Sequence, residues 1–468
     1  MVDTNLNYLN NDLADVARLF YADGFPHMFC RVTLSPPQIF VEAGAEEDGR
    51  SFQVYSARRE MPYPADELEL RRAVKRAAKT ALYDALSALT ERKLPYGALT
   101  GIRPVKLLRQ LADEGKPDPE DYMRSYLGVR ADKAAMLSDV ERAQRQYRNA
   151  DESFCDLYVG IPFCRGRCSY CSFVSRDIEK TDASTVEAYV SALEAEITHA
   201  KELISRRGLT LRSAYFGGGT PSSLSTSHTE RLLRAADVPH GTEYTFEAGR
   251  PDSITPELLT LLKAFGVTRV SVNPQTLKDE TLARIGRRHT TEDFFRAFEL
   301  AATFGFSVNA DLIMGLPGES AEDFEKSLAA LCKLSPDCIT VHTLCLKNGS
   351  YLRERTGRLP AEEAEKMSDF AYPFLSERGY VPYYIYRQKY MAGNLENTGY
   401  SLPGRACLYN IDNMEELCSC VACGGGGITK RVSRGGALIQ RYASPKDVPT
   451  YIAKLSAITE GKDELFER

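Results

Sequence analysis

The chain has 468 residues, 43% apolar and 26% charged, with a formal net charge of −5. That balance excludes a disordered chain and argues against a protein that wraps nucleic acid through its overall field. The N-terminus lacks a basic start followed by an apolar stretch, and no window offers about 18 uncharged apolar residues, so the sequence reads as cytoplasmic, without a membrane span, its twelve cysteines mostly reduced thiols.

Residues 1–150 read as a separate α+β domain. It has a strand pair around His27–Val41, a long helix from Glu67 to Arg92, and then the segment GALTGIRPVKLLRQLADEG. Arg71, Arg72, Lys75, Arg76 and Lys79 share one face of that helix, because spacings of three and four do. A solvated face is the expectation, RNA contact the other reading.

From about Leu157 apolar runs alternate with amphipathic stretches, the pattern of βα units on a parallel sheet. The runs are LYVGIP (157–162), SAYFGG (213–218), YTFEAG (244–249), VTRVSV (267–272), FSVNADLIMG (306–315) and CITVHTL (338–344). Val186, Tyr189, Val190, Leu193, Ile197 and Ile204 recur at helical spacing between the first two. Thr255 before Pro256, and Ser320 with Asp323, are helix starts. Residues 151–386 are therefore expected to form a partial (βα)6 TIM-like barrel, with its chemistry at the C-terminal strand ends. Residues 387–468 turn Gly-rich and aromatic, and read as a small third region with a last strand pair, a turn at Gly425–Gly427 and a C-terminal helix.

Directly after the first barrel strand comes Cys164-Arg-Gly-Arg-Cys168-Ser-Tyr-Cys171. Three thiolates in one tight loop suit iron–sulfur or zinc, and three rather than four leave one metal position open. A closed zinc site normally supplies four ligands in paired spacings, and no convincing fourth lies in the loop. Gly217-Gly218-Gly219-Thr220-Pro221-Ser222 follows the second strand; with no Cβ, glycine lets backbone approach a ligand. Cys418, Cys420 and Cys423 alternate with small residues, which favours a buried strand over a second metal site. His342, at the end of the sixth strand, is left open between a substrate-facing group and a hydrogen-bonded barrel histidine.

The cysteine spacing and the glycine tract resemble the radical S-adenosylmethionine (SAM) superfamily. With Glu247 in FEAGRPD, Gln275 in SVNPQT, Gly286-Arg287-Arg288-His289 and DLIMGLPGES at 311–320, they resemble the oxygen-independent coproporphyrinogen III oxidase family, over roughly residues 150–430. GALTGIRPVKLL and YRQKYMAGNLENTGY point to its HemZ-type branch. The resemblance implies a [4Fe–4S] cluster on Cys164, Cys168 and Cys171, and SAM contacts at Tyr158, Gly218, Thr220, Glu247, Gln275, Arg287 and Asp311. It implies cleavage of SAM to a 5′-deoxyadenosyl radical, a tetrapyrrole substrate or haem, and an electron donor such as flavodoxin or ferredoxin. The leading reaction is oxidative decarboxylation of coproporphyrinogen III to protoporphyrinogen IX. The alternatives are a haem chaperone on the same barrel and an RNA-modifying radical enzyme. Three features depart from the family: Gly160 stands where the oxidase pattern has histidine, Phe173 where a further cysteine is common, and Cys407-Leu-Tyr-Asn410 where chaperone relatives carry a His-Asn motif.

Overall fold

The computed structural model describes all residues except Met1, 22–23, 47–53, 63, 65, 102, 150, 174, 346–351, 353–360, 389–390 and 468. Ile102, Lys389 and Tyr390, within the two branch-defining segments, lie outside the described residues. The chain divides into two compact units. One is Met1–Ser138 with Arg387–Lys389 and Gly393–Leu395; the other is Asp139–Tyr386 with Tyr390–Ala392 and Glu396–Arg468.

The first unit is built on a four-stranded sheet in the order β1 (Val2–Thr4), β2 (His27–Ser35), β3 (Gln38–Glu46), β4 (Val54–Pro62). Val32, Ile39, Val41 and Ala43 pack with Val74, Ala77, Ala78, Ala81 and Leu82 of the helix Glu67–Thr90. The expected strand pair is thus the centre of a larger sheet. β4 carries Arg58, Arg59 and Glu60, so its charge hides it from an apolar-run search. On the basic stripe, Arg71 pairs with Glu67, Lys75 with Asp12 and Arg76 with Glu114, so much of its charge is neutralised within the unit.

The second unit carries eleven strands in one sheet. Its parallel core holds β5 (Phe154–Ile161), followed after the short β6 (Phe163–Cys164) and β7 (Arg176–Asp177) by β8 (Thr210–Gly218), β9 (Glu243–Gly249), β10 (Arg269–Val272), β11 (Ser307–Met314) and β12 (Cys338–Thr343). These six lie side by side in chain order. Their positions match the six expected strands, and the helices start as expected: Thr255 accepts from the Leu258 N–H, and Ser320 and Asp323 form a capping box. Beyond β12 lies β14 (Asn397–Ser401), antiparallel to it, and then β13 (Val381–Tyr386), antiparallel to β14. Beyond β5 lie β15 (Ser419–Cys423), parallel to it, then β16 (Ile428–Ser433) and β17 (Leu438–Ala443).

Apart from bulges in the β5–β8 and β9–β10 pairs, the strands alternate between two faces. Leu157, Val159, Phe216, Phe246, Val270, Val308, Ala310, Ile339 and Val341 join one large core with the flanking helices. The other face presents Asp156, Tyr158, Tyr215, Glu247, Asn273, Asn309, Asp311, Thr340 and His342. On this face Cys338 of β12 and Cys420 of β15 share a cluster with Tyr158, Tyr215 and Tyr409. One side-chain cluster thus runs across this face from β12 to β15, and the polar face is the inside of the expected partial barrel. Cys418, Cys420 and Cys423 are buried, the latter two on β15. Among the described residues, no helix is long and apolar enough to cross a membrane.

Candidate functional site

β5 ends at Ile161, and the cysteine loop begins on β6 three residues later. The loop is held from two sides. The Thr220 N–H donates to the Phe163 carbonyl at 2.7 Å and the Gly219 N–H to the Ile161 carbonyl at 2.8 Å, while the Ser169 N–H reaches the Ile285 carbonyl at 3.0 Å. Cys164, Cys168 and Cys171 are half-buried free thiols. Burial pushes Cys164 above the usual thiol range and Cys171 up to about 11, and the Thr220 hydroxyl lies 3.5 Å from the Cys164 sulfur.

Each glycine of the triplet answers a different close approach. A Cβ on Gly217 would come within 2.7 Å of Glu247 Oε2, Gly218 has φ +105°, and a Cβ on Gly219 would meet the Phe163 carbonyl oxygen at 2.6 Å. Together they let the end of β8 lie directly under the cysteine loop.

The expected SAM-contact residues are arranged around this cradle as follows. Tyr158, Tyr215 and Tyr409 form a triangle of near-parallel rings, Tyr158 at centroid distances of 6.3 and 6.0 Å from the other two, which stack at 4.3 Å. Glu247 accepts from the Tyr215 hydroxyl; burial pushes its carboxyl up to about 7, with the charge of Asp311 adding to the rise. Gln275 adopts φ +68° just past β10, bonding through its N–H to the Asp311 carbonyl and through its carbonyl to the Ile313 N–H, both at 2.9 Å. Burial works against ionisation of Asp311, yet the hydrogen bond and charge of His342 hold it below the usual carboxylate range. Arg287 donates to the Asn273 carbonyl and the Tyr170 hydroxyl, each at 3.2 Å.

Three features bear on what fits here. Arg287 Nε, Arg250 Nη1 and both ring nitrogens of His289 are buried without partners, an unfilled demand for hydrogen bonds beside the cysteine loop; burial, then the charge of Arg287, pushes His289 down to about 4. The loop sulfurs are also spread: among the described residues only Asp156, Asp412 and Cys418 bring three ligand atoms within 4.8 Å of one another, whereas one tetrahedral zinc would need its sulfurs about 3.8 Å apart. The loop therefore suits a larger group than a single ion. Thiolate donors with an open position are the donor set of an iron–sulfur cluster. In the Asp156 group, the cation is supplied by Arg212, 2.6 Å from Asp412.

Sequence reading left two participants without a role or unnoticed. His342 was left open; its Nε2 lies 3.5 Å from Asp311 Oδ2. Tyr409 belongs to the segment that departs from the chaperone motif, and only folding brings it onto Tyr158.

A family model described as the radical SAM superfamily matches residues 158–331. The chain is 36% identical over 423 residues to the oxygen-independent coproporphyrinogen-III oxidase-like protein HemZ of Bacillus subtilis, covering 86% of this chain and 84% of that protein. It is 32% identical to the heme chaperone HemW of the same organism, over 49% of this chain and 62% of that one. The solved coproporphyrinogen III oxidase HemN of Escherichia coli superposes with a TM-score of 0.53 at 22% identity, covering 68% of this chain and 73% of that chain; this likeness is one of fold.

Proposed function

The chain belongs to the oxygen-independent coproporphyrinogen-III oxidase-like family of radical SAM proteins, which use a [4Fe–4S] cluster and SAM, and from that premise we propose that it acts on a tetrapyrrole, by oxidative decarboxylation of coproporphyrinogen III. The observation that carries the reading is the meeting of three free thiols with a Cβ-free glycine cradle and partnerless buried guanidinium nitrogens at the ends of parallel strands.

Cys164, Cys168 and Cys171 are the cluster ligands in this reading, with Thr220 steadying the Cys164 sulfur. With both groups bound, the chemistry available is one-electron reductive cleavage of the SAM sulfonium and hydrogen-atom abstraction from a substrate. Arg287 offers a guanidinium to the SAM carboxylate, Glu247 a carboxyl to its ammonium, and Asp311 with Gln275 take the ribose diol; Gly218 contributes backbone and Tyr158 packs on the methionine portion. The near-parallel rings of Tyr158, Tyr215 and Tyr409 supply an aromatic patch on the inner face against which a planar macrocycle would pack. In the reaction each of two propionates would lose a hydrogen atom, carbon dioxide and one electron to become a vinyl group, that electron passing to an acceptor and offsetting the one that a flavodoxin or ferredoxin supplies to cleave SAM.

A second reading, a haem chaperone, is supported by Gly160 at the oxidase histidine position and by the similarity to HemW. The RNA reading loses its footing with the paired charges of the basic stripe.

Anaerobically reconstituted protein with reductant, SAM and coproporphyrinogen III, followed by porphyrin mass analysis and deoxyadenosine assay, tests both. Vinyl product supports the oxidase; deoxyadenosine with bound haem and no vinyl product supports the chaperone; neither deoxyadenosine nor a tetrapyrrole spectral shift sinks both. Alanine at Glu247, Gln275, Arg287 or Asp311 should weaken SAM binding roughly 10- to 150-fold, the loss of one charged hydrogen bond, with iron content unchanged.

A further inference from the structure

His342 lies on the inner face of β12, in register with Ile313 of β11. Its Nδ1 is 3.3 Å from Asn397 Oδ1. The orientation of that amide is fixed independently, because Oδ1 also accepts from the Thr343 N–H at 3.0 Å. The other ring nitrogen faces Asp311 Oδ2 at 3.5 Å. Both neighbours of the ring are therefore acceptors. A neutral imidazole carries one hydrogen and would turn a lone pair on one of them, whereas the doubly protonated ring donates to both. Asp311 is tied from its other side: Oδ1 accepts from Asn309 Nδ2 at 2.8 Å, and Asn309 Oδ1 accepts from the Thr340 hydroxyl at 3.2 Å.

We propose that His342 is a positioning residue which, as an imidazolium, fixes the carboxylate of Asp311 in the orientation it presents to the ribose of SAM, and so couples SAM affinity to pH. The proposal rests on the assignment of Asp311 as a SAM contact. Facing the ring are Asp311 from β11, Glu247 from β9 and Asn397 from β14, with Tyr384 and Tyr386 of β13 beside Asp311. Burial alone would drive the proton off the ring, but the hydrogen bond and charge of Asp311 hold His342 above its ordinary value, and the two acceptors at its nitrogens independently favour both ring hydrogens. The arrangement is intact at low pH and is lost as pH rises through the value of His342 in the folded protein. Glu247 titrates near neutrality as well, so the imidazole must be followed directly.

The test measures SAM affinity by anaerobic equilibrium binding to the cluster-loaded protein across mildly acidic to alkaline pH. It compares wild type, His342→Gln and His342→Ala, with iron content and thermal melting recorded for each. Imidazole titrations of the full chain by NMR run alongside, with His342→Gln assigning one of six histidines. Wild-type affinity is expected to fall on the alkaline side. Glutamine, which donates one uncharged hydrogen bond, should retain part of the affinity but flatten the profile, and alanine should bind on the order of tenfold more weakly at neutral pH. Iron content should stay at the wild-type level and both variants should remain folded, alanine with the lower melting temperature. A His342 resonance titrating below the ordinary 6.5, or a glutamine variant with wild-type affinity and the wild-type pH profile, overturns the proposal alone. Wild-type protein that binds no SAM at any pH sinks the assignment of Asp311, and the proposal with it.

Discussion

Gly160 and Gly424 are packed back to back: a Cβ on Gly424 would overlap the carbonyl oxygen of Gly160, and Gly424 holds φ +97°. Tyr189 closes the contact, donating to the Gly160 carbonyl at 2.7 Å while its hydroxyl accepts from the Gly425 N–H at 2.9 Å. The cluster strand is thereby locked to the turn that follows β15. Gly424→Ala adds left-handed strain to overpacking and should cost about 2–4 kcal/mol. Thermal melting of the cluster-free protein checks this, and an unchanged melting temperature would show that the turn relaxes freely.

A Cβ on Gly160 itself would come within 3.2 Å of the Tyr158 ring and 3.4 Å of the Cys423 carbonyl. A histidine there must displace Tyr158 or the turn, so Gly160→His should lower SAM affinity rather than raise oxidase turnover. Binding measurements decide it; a gain of vinyl product without loss of affinity would contradict this account of the departure.

Iron content separates the two cysteine groups. Cys164→Ala, Cys168→Ala and Cys171→Ala should each lose the cluster, normally about four irons per chain. The triple replacement of Cys418, Cys420 and Cys423 should leave the iron count as it is, since those thiols are buried, with pKa values pushed up by burial. Colorimetric iron assay after anaerobic reconstitution reads both outcomes.

Glu247 makes the stability of the cluster-free protein pH-dependent. Its carboxyl rises from 4.5 to about 7 on folding, so the folded state holds the proton more tightly. The corresponding stability is present below pH 4.5 and is lost as pH climbs to about 7, a change on the order of 3 kcal/mol. Denaturant unfolding of wild type against Glu247→Gln at both ends of that window should show the gap shifting in favour of the variant as pH rises. A constant gap would mean that Glu247 ionises as freely as in the unfolded chain.

Lys462 and Glu196 form a fully buried ion pair at 2.6 Å, with the Tyr451 hydroxyl and the Gly424 N–H also donating to Glu196. Lys462→Met strands the carboxylate and should cost about 3–5 kcal/mol, while the double variant Glu196→Gln/Lys462→Met should recover part of it. Unfolding midpoints of the single and double variants measure the coupling.

The six barrel strands were legible because their apolar runs are bounded by turn residues, and the cysteine loop because its spacing admits few chemistries. β4 was hidden by Arg58, Arg59 and Glu60. The strands after Arg387 were partly hidden by their glycines and cysteines: the anticipated pair with its Gly425–Gly427 turn is joined by further strands, so that β14 to β17 extend both edges of one sheet. Nothing local announces that Gln275 takes a left-handed backbone, since the bonds that hold it come from Asp311 and Ile313. Nor could a lone histidine reveal its charge: that follows from two acceptors, one on β11 and one on β14, which only the fold brings to the ring.

The alternation of the parallel strands between two faces separates two kinds of selective pressure. Along β9, Tyr244, Phe246 and Ala248 hold the sheet to its helices, while Glu243, Thr245 and Glu247 face the lumen. Tolerance to substitution along each strand should then oscillate with a period of two: one set of positions is constrained by folding yield, the other by turnover. Such a division lets inner residues drift toward a new substrate while the scaffold's hydrophobic bookkeeping is left untouched.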